Sequence, residues 1–405
     1  MDALTTPSNW QRVRLGDIGI TISGLVGKTK QDFINGNAKY ITFLNVLNNV
    51  IIDTSILENV KIYPNEKQNS FKKYDLFFNT SSETPKEVGM CAVLLDDIDQ
   101  VFLNSFCFGF RIFDKAVDGL FLSYLINSEI GRKAFENLAQ GSTRYNLSKS
   151  GFNNVCLFLP PLNEQIAIAN VLSDVDHYLY TLDAIILKKE SVKKALSFEL
   201  LSQRKRLKGF NQAWQKVRLG DICEFGNGGA YETLIVENGD FKLISLNSID
   251  INGNLKNTMK RVNFYDNSLK QDDIVMVLSD VAHGDFLGLC AVIPSNDYVL
   301  NQRMGRLRKR NDCINILFLR LYINANQKYF KMQGQGSSQL NLSKKAIEDF
   351  EIPLPPLNEQ IAIANILSGL DSEIISLKNK KRQFDNIKKA LNHDLMSAKI
   401  RVLKK

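Results

Sequence analysis

The chain contains the same set of short motifs twice, roughly half a chain length apart. Residues 159–170 return almost letter for letter as residues 354–365, and residues 10–18 return as residues 214–222. Solenoid repeats have periods of roughly 20 to 50 residues, so this period is too long for a solenoid. The duplication therefore predicts two complete modules, each consisting of a globular part followed by a helical part.

Length and composition are those of a chain with two packed modules. At roughly 150 residues per domain, 405 residues predict two or three domains, and the duplication selects two. The sequence has no run of about 18 apolar residues, which predicts no membrane span. Residues 1–7 lack the pattern of a signal peptide, and the six cysteines form no Cys-x-x-Cys pair. We therefore expect a cytoplasmic protein with reduced cysteines.

The net charge of +8 is concentrated in one part of the chain. Residues 1–160 carry no net charge, residues 161–210 carry +2, residues 211–356 carry +1 and residues 357–405 carry +5. A lysine-rich helix can serve solubility alone or attract nucleic acid, and both explanations stay open. Because the globular parts are close to neutral, any DNA affinity there must come from local clusters of side chains.

The two globular parts have the pattern of mixed α/β domains, and we place them at residues 1–158 and 209–353. Short β-type runs alternate with turns, among them residues 40–44, 101–103 and 241–244. The spacing of apolar residues predicts a helix in each domain, over residues 119–138 and 316–330. The predicted fold class is therefore α+β.

Each globular part ends in a Pro-Pro pair, after which the pattern changes to that of a long helix. Proline cannot continue a strand ladder and holds the preceding residue extended. Asn163 and Asn358 then occupy the predicted N-cap positions. Glu164 and Glu359 place a carboxylate in the positive first turn of each helix.

Apolar residues follow heptad spacing in both helical regions, which we place at residues 159–208 and 354–405. They are Ile168, Leu172, Val175, Leu179, Leu182 and Ile186 in the first region, and Ile363, Leu367, Leu370, Ile374, Leu377, Phe384, Leu391 and Leu395 in the second. The spacing gives one narrow apolar stripe on a helix of about 40 residues, roughly 60 Å long.

We expect the two stripes to bury each other as an antiparallel coiled coil with a pseudo-twofold internal repeat. The alternatives are that each helix packs on its own globular part or on another chain. Lys381 stands where the first copy has Ile186, so we expect looser packing at that point.

The sequence contains no motif that predicts catalysis or metal binding. Residues 24–29 resemble a phosphate-binding loop, but the motif requires a glycine where Ile22 stands. The three histidines have no ligand spacing, and no cluster of carboxylates of the two-metal type stands out. A tetrapeptide like the Asn-Pro-Pro-Tyr of adenine methyltransferases is absent. We therefore expect no catalytic residue, no metal site and no cofactor on this chain.

Comparison of the two copies separates shared segments from divergent loops. The loops at residues 79–88 and 278–287 differ, and Arg144-Tyr145 stands where the second copy has Gln339-Leu340. Shared segments are expected to build the scaffold and bind a common partner, whereas divergent loops perform different recognition tasks. In the major groove Arg favours guanine and Gln favours adenine, each good pair being worth about 1–3 kcal/mol of discrimination.

The candidate DNA-binding residues are polar residues of these loops, with Ser279, His283, Gln302 and Arg303 taken as rough counterparts of Thr80, Ser81, Ser82 and Lys86. They are Thr80, Ser81, Ser82, Lys86, Arg144 and Tyr145 in the first copy, and Ser279, His283, Gln302, Arg303, Ser337 and Gln339 in the second. For any single one of them, the alternative is an ordinary polar loop residue.

With these motifs in hand, the chain resembles the specificity subunit of a type I restriction–modification system over its whole length. The resemblance rests on the Trp-x-x-x-x-Leu-Gly-Asp-Ile start, the Gly-Ser-Thr/Ser loop followed by Leu-Ser-Lys, and the Pro-Pro-Leu-x-Glu-Gln-x-x-Ile-Ala helix start. Each occurs twice and in the same order.

The resemblance implies two target recognition domains, each of which contacts one half of an asymmetric, bipartite site in double-stranded DNA. The paired helices would set the spacing of the half-sites and dock two modification (methyltransferase) subunits. It implies that the shared helix starts bind this partner, through Asn163, Glu164, Gln165, Asn358, Glu359 and Gln360.

The same resemblance places all catalysis on other subunits of the complex. The modification subunits would hold S-adenosylmethionine and methylate adenine N6 after base flipping. Restriction subunits would use ATP and Mg to translocate and cut unmodified DNA. The near-neutral charge of both domains here implies that DNA affinity needs the partner. The rival hypotheses are an adaptor without nucleic acid, two binding modules held apart by a coiled coil, and a self-sufficient methyltransferase or nuclease.

Overall fold

The chain forms two compact units, seen in a computed structural model that describes residues 7, 9–136, 138–141, 144–281 and 284–402. Unit 1 comprises Met1–Asp183 and Asn379–Lys405, and unit 2 comprises Ala184–Lys378. Each unit therefore combines one globular domain with a part of both helical regions.

The globular domain of unit 1 consists of short strands and helices. In chain order they are β1 (Gln11–Arg14), α1 (Leu15–Ile18), β2 (Gly19–Ser23), β3 (Ala38–Ile41), α2 (Phe43–Asn48), β4 (Glu58–Val60), β5 (Leu76–Asn79), β6 (Ser81–Ser82), β7 (Cys91–Val93), β8 (Val101–Leu103), β9 (Cys107–Ile112), α3 (Gly119–Asn127), α4 (Glu129–Glu136), β10 (Tyr145–Asn146), α5 (Lys149–Asn153) and β11 (Cys156–Leu159). The long helix α6 (Leu162–Leu201) follows.

The central sheet of unit 1 has the strand order β2-β9-β5-β7, and its strands β5 and β7 are buried along their whole length. In β5, Leu76 and Phe78 belong to the core that contains α3, whereas Phe77 belongs to a second core. A strand buried on both faces needs apolar residues without alternation, which explains this run. Smaller sheets have the orders β4-β3-β8, β10-β6 and β1-β11, the last joining the first strand to the strand before α6.

Unit 2 repeats this sequence of elements. They are β12 (Gln215–Arg218), α7 (Leu219–Ile222), β13 (Cys223–Asn227), β14 (Phe241–Ile244), β15 (Arg261–Val262), β16 (Ile274–Val277), β17 (Ser279–Val281), β18 (Cys290–Val292), β19 (Tyr298–Leu300), β20 (Met304–Lys309), α8 (Ile316–Ala325), α9 (Gln327–Gln333), β21 (Gln339–Asn341), α10 (Lys344–Glu348), β22 (Glu351–Leu354) and α11 (Leu357–Met396).

The strand order in unit 2 matches that in unit 1 sheet by sheet. The orders are β13-β20-β16-β18, β15-β14-β19, β17-β21 and β12-β22. In β16, Ile274 and Met276 face one core, and Val275 and Val277 face another, as in β5. The internal repeat and the α+β class predicted from the sequence are confirmed.

The long helices begin two positions before the predicted first turn, at Leu162 and Leu357. Backbone N–H groups of Glu164 and Gln165 donate to the carbonyl of Pro161 at 2.9 and 3.0 Å, so Pro161 occupies the N-cap position. The prediction that Asn163 is the N-cap was wrong, and the same holds for Asn358, since α11 begins at Leu357. The Asn163 Oδ1 still accepts from the Glu164 N–H at 2.9 Å and satisfies a donor of the first turn.

Within unit 1, the first half of α6 pairs with the last part of α11 in antiparallel orientation. Asp176 and Asp183 of α6 form ion pairs with Lys388 and Lys381 of α11, so positions rise along one helix as they fall along the other. The Lys381 ammonium lies 3.1 Å from an oxygen of Asp183. An ion pair therefore joins the two helices at the position where looser packing was expected.

Unit 2 contains the same kind of helix pair. Glu190 and Lys193 of α6 pair with Lys378 and Asp371 of α11. The antiparallel coiled coil predicted from the heptads is confirmed. The globular cores also take part, since the core of unit 1 includes Ile168, Leu172 and Leu395. At their ends, the apolar stripes thus pack on a globular domain, as the alternative prediction stated.

The helix predicted over residues 119–138 is two helices, α3 and α4, separated at Ser128. The Ser128 hydroxyl donates to the Leu125 carbonyl at 2.6 Å and accepts from the Gly131 N–H at 3.3 Å, which ends one helix and starts the next. The region 316–330 is likewise divided into α8 and α9 at Asn326. Apolar spacing alone did not reveal these breaks, because α3 and α4 share a buried face.

A buried carboxylate at the start of each long helix is held by an arginine that follows the end of the other one. Glu359 accepts from Nε and Nη2 of Arg206 at 3.1 and 2.5 Å and from the Trp214 indole at 3.0 Å. In unit 1, Glu164 accepts from Nε and Nη2 of Arg401, the latter at 2.6 Å. Each unit is thereby closed by chain segments distant in sequence.

Arg206→Ala should destabilise unit 2 clearly more than the loss of a surface ion pair does, because it leaves the buried carboxylate of Glu359 without its charged partner. Urea unfolding combined with hydrogen exchange of α8 measures this loss. The control is Lys205→Ala, since Lys205 pairs with Glu199 at the surface, where such pairs contribute about 0–1 kcal/mol. Equal losses for the two variants would contradict a structural role for the Arg206–Glu359 pair.

Candidate nucleic-acid interface

The residues that flank the shared Gly-Ser-Thr/Ser segment pair with each other across the base of a hairpin in each unit. In unit 1 the backbones of Gln140 and Asn146 exchange hydrogen bonds of 3.1 and 2.9 Å across the base of the loop. Gly141 has φ +135°, and a Cβ there would lie 2.1 Å from the Arg144 carbonyl oxygen. Only glycine fits such a turn. We call residues 140–146 and the equivalent residues 335–341 of unit 2 the reading hairpins.

Backbone contacts hold each reading hairpin beside the divergent loop that precedes it. Tyr145 and Asn146 of β10 pair with Ser82 and Ser81 of β6. The Leu147 N–H then donates to the Thr80 carbonyl at 2.8 Å. The two segments that sequence comparison selected separately therefore lie side by side.

The Leu-Ser-Lys motif explains why the hairpin stops where it does. Leu147 is buried in the core of unit 1, and the Ser148 hydroxyl caps α5 by accepting from the Gly151 N–H at 3.0 Å. In unit 2, Leu342 is buried and Ser343 caps α10 through the Ala346 N–H at 3.2 Å. This part of the repeated motif is scaffold, since its leucine is anchored in the core and its serine starts the next helix.

Unit 2 builds its reading hairpin in the same way. Gln335 and Asn341 exchange backbone hydrogen bonds of 3.0 and 2.9 Å, and Gly336 has φ +123°. Strand β17 pairs with β21, with Ser279 opposite Asn341 and Val281 opposite Gln339. The backbone is thus shared by the two units, whereas the side chains that it carries differ.

The predicted DNA-binding residues fall into an exposed group and a buried group. Exposed or half-exposed are Thr80, Lys86, Arg144, Tyr145, Gln302, Arg303, Ser337 and Gln339. Ser81, Ser82 and Ser279 are buried, and the Ser82 hydroxyl donates to the Glu87 carboxylate at 2.6 Å. These three serines stabilise the loops in this structure. His283 lies outside the described residues, as do Ser142 and Thr143 of the first reading hairpin.

Sequence comparison missed one exposed aromatic residue, Phe106. The Thr80 N–H and hydroxyl both donate to the Phe106 carbonyl, at 3.0 and 2.8 Å. The Arg144 guanidinium lies over the Phe106 ring, 5.8 Å from its centroid. In unit 2 the Leu278 N–H donates to the Arg303 carbonyl at 2.9 Å, so Arg303 occupies the place of Phe106.

A signal for Phe106 was present in the sequence. The turns before β9 and β20 align as Asn104-Ser105-Phe106 and Asn301-Gln302-Arg303. Alignment of the two copies at this point would have paired Gln302 and Arg303 with Ser105 and Phe106. The sequence interpretation instead took Gln302 and Arg303 as rough counterparts of residues in the 79–88 loop.

The predicted partner-binding residues at the helix starts are mostly buried. Glu164, Gln165, Glu359 and Gln360 are each at most 3% exposed. The Gln165 side chain accepts from the Asp118 N–H at 2.9 Å and donates to the carbonyls of Ala116 and Pro160.

Gln360 makes the equivalent bonds to Asn315, Cys313 and Pro355. The repeated glutamines, Gln165 and Gln360, therefore join each long helix to its domain. Asn163 and Asn358 remain exposed at the same helix starts, and their role in partner binding stays a prediction.

Among the described residues, no group of three or more His, Cys, Asp and Glu side chains is placed to hold a metal ion. No helix in this part of the chain is long and apolar enough to cross a membrane.

Comparison with known proteins gives the family. The family described as type I restriction modification DNA specificity domain matches residues 7–189 and 211–384. The chain belongs to this family, and the resemblance to type I specificity subunits read from the sequence is confirmed.

Curated relatives match over nearly the full length. The MjaVIII specificity subunit of Methanocaldococcus jannaschii is 25% identical over 99% of this chain and 95% of its own length. The StySPI specificity subunit of Salmonella potsdam is also 25% identical, over 90% of this chain and 82% of its own length.

Solved structures share the fold. The crystal structure of a type I S subunit from M. genitalium superposes with a TM-score of 0.64 at 18% identity, covering 97% of each chain. A structure from a study of type I system assembly has a TM-score of 0.54 at 16% identity, covering 96% of this chain and 98% of its own.

Gly336→Ala should open the reading hairpin of unit 2 by about 1–3 kcal/mol, because alanine is strained at φ +123° and its Cβ would lie 2.1 Å from the Gln339 carbonyl oxygen. The measurement is hydrogen exchange at the Gln335 and Asn341 amides. Gly369→Ala is the control, since nothing lies within 4 Å of a Cβ at that helical site. It should stabilise α11 by about 0.5–1 kcal/mol. Unchanged exchange at both amides in Gly336→Ala would show that the turn tolerates a side chain.

Proposed function

We propose that this chain is the sequence-reading subunit of a DNA methylation and restriction complex, in which each unit reads one half of an asymmetric bipartite site. The observation that carries this proposal is the equal backbone and unequal side chains of the reading hairpins. Arg144 in unit 1 corresponds to Gln339 in unit 2, and Phe106 corresponds to Arg303. Identical readers would favour a palindrome, whereas two unlike readers favour an asymmetric site.

The chemistry of these positions suits base edges. A guanidinium can donate two hydrogen bonds to guanine O6 and N7, and a carboxamide pairs in the same bidentate way with adenine N6 and N7. Unit 1 offers Arg144 with the apolar ring of Phe106 (55% exposed), which could contact a thymine methyl group. Unit 2 offers Gln339 and Arg303. Each unit thus presents a guanidinium at one of the two positions, but not at the same one.

Charge supports a reader that depends on partners for affinity. DNA affinity is dominated by neutralisation of phosphates, and residues 1–160 carry no net charge. The modification subunits would supply these contacts, bind S-adenosylmethionine and methylate adenine. ATP and Mg would bind to the restriction subunits, and this chain would hold neither cofactor nor catalytic group.

The surface of the long helices is consistent with docking of the same partner at two places. Leu162 and Ile166 at the start of α6 are 37% and 42% exposed, and Leu357 and Ile361 at the start of α11 are 38% and 40% exposed. Exposed apolar residues that recur at equivalent positions beside Asn163 and Asn358 suit two copies of one modification subunit. The paired helices would then set the distance between the half-sites.

Arg144→Ala should relax one base position in one half-site, because the variant loses a bidentate contact worth about 1–3 kcal/mol. The measurement is the methylome of a host that expresses the chain with its modification subunit. Gln339→Ala should relax the other half-site only. Lys133→Ala removes a surface charge of unit 1 that pairs with Glu129, and it should leave the motif unchanged.

The same experiment separates the rival hypotheses. Relaxation of both half-sites by Arg144→Ala would contradict independent readers. A stable complex without DNA binding and without a two-part methylated motif would instead favour the adaptor. Methyl transfer by the purified chain alone would show that catalysis does not need a partner.

A further inference from the structure

A carboxylate of α6 in unit 1 joins both the other long helix and the globular domain. The hydroxyl of Tyr124, in α3, donates to Oδ2 of Asp176 at 2.8 Å. Oδ1 of the same carboxylate pairs with the Lys388 ammonium of α11. Tyr124 is 1% exposed, and burial followed by the charge of Asp176 raises the pKa of its hydroxyl. The phenol therefore stays protonated and keeps donating.

Unit 2 places a carboxylate at the equivalent position. When the two long helices are aligned on their shared Leu-Asn-Glu-Gln start, Asp371 corresponds to Asp176 and Lys193 corresponds to Lys388. Asp371 and Lys193 form an ion pair, as their counterparts do.

The domain side of this second junction uses a different residue. Arg320 of α8 has a buried Nε without a hydrogen-bond partner among the described residues. Burial lowers the pKa of this guanidinium, and the charge of Asp371 is the largest opposing influence. The direct hydrogen bond from domain to carboxylate is thus seen in unit 1, between Tyr124 and Asp176 at 2.8 Å.

The directional character of these contacts is what gives them a role. Apolar packing between domain and helices is non-directional and tolerates small rotations. A hydrogen bond weakens steeply when its angle departs from linearity. A buried phenol–carboxylate bond at the junction of α3 with α6 therefore selects one orientation of the domain on the helix pair.

We propose that Asp176 is a positioning residue that fixes the orientation of the recognition domain of unit 1 on the long helices, and so restricts the gap between half-sites that the complex accepts. This inference rests on the proposed function, since it concerns how two independent readers are held. Asp176 does not contact DNA in this scheme, and it does not change which bases are read.

The test compares Asp176→Asn and Tyr124→Phe with Asp183→Asn in the complex with the modification subunit. Asp183 pairs with Lys381 of α11 at 3.1 Å, and no residue of the globular domain contributes to that ion pair. Tyr124→Phe loses only the hydrogen bond to α6, Asp176→Asn weakens that bond and also loses the ion pair with Lys388, and Asp183→Asn loses only an ion pair between the two helices. Only the first two variants loosen the domain. The readout is the host methylome, sorted by the gap between unchanged half-sites.

Methylation at gaps one base pair longer or shorter should rise about tenfold in Asp176→Asn and Tyr124→Phe, as expected for loss of one charge-assisted hydrogen bond. Asp183→Asn should keep the original gap. The double variant Asp176→Asn/Tyr124→Phe should broaden the gap less than the sum of the two single variants, because both act on the same contact. Tyr124→Phe keeps the test decisive if Asp176→Asn does not fold, since it leaves the Asp176–Lys388 ion pair in place.

Two outcomes would overturn the inference. The first is an unchanged gap in all variants beside a clear two-part motif for the unmodified chain, which leaves the proposed function intact. The second is a uniform fall of methylation at all sites together with a lower melting temperature, which would show that the contact serves stability alone. Absence of any two-part motif with the unmodified chain would overturn the proposed function itself, and this inference with it.

Discussion

The narrow apolar stripes on α6 and α11 are the constraint on which both units depend. A stripe of heptad residues stays exposed to solvent along the whole helix unless another apolar surface packs against it. Each unit meets this need with one half of the other long helix and with the core of its globular domain. Leu395 and Met396 near the end of α11 complete the core that contains Leu15 and Ile168. Unit 1 therefore closes only when segments from distant parts of the sequence meet, and such contacts slow folding.

The repeated backbone explains how two readers can differ without a change of fold. Gly141 and Gly336 both have a positive φ, Leu147 and Leu342 anchor the chain that follows them, and backbone bonds join it to the neighbouring loop. None of these interactions depends on the side chain at position 144 or 339. A substitution there changes what the hairpin presents and leaves the bonds that shape it in place. This separation is the physical basis for treating the reading hairpins as exchangeable parts.

Local patterns in the sequence predicted much of this architecture, and contacts between distant segments were beyond it. Heptad spacing predicted the two long helices, their antiparallel pairing and their residues, because periodicity is a local property. The N-cap was misplaced from Pro161 to Asn163, since both can satisfy first-turn donors. Glu164 was interpreted as a partner-binding residue, whereas its carboxylate is buried against Arg401. Only the fold brings these two together, although a second alignment of the copies would have matched Arg401 with Arg206.

The DNA affinity and the base specificity of a domain of this kind have different physical sources. Non-specific DNA binding comes almost wholly from phosphate neutralisation, so a domain without net charge has little of it. The discrimination offered by a single arginine or glutamine, about 1–3 kcal/mol, is then a large part of what the domain contributes. Such a domain gains from being held at a fixed orientation, since a reader that rotates loses bidentate geometry first. In the proposed scheme, the hydrogen bond between Tyr124 and Asp176 restricts that rotation, because a hydrogen bond weakens steeply when its angle changes.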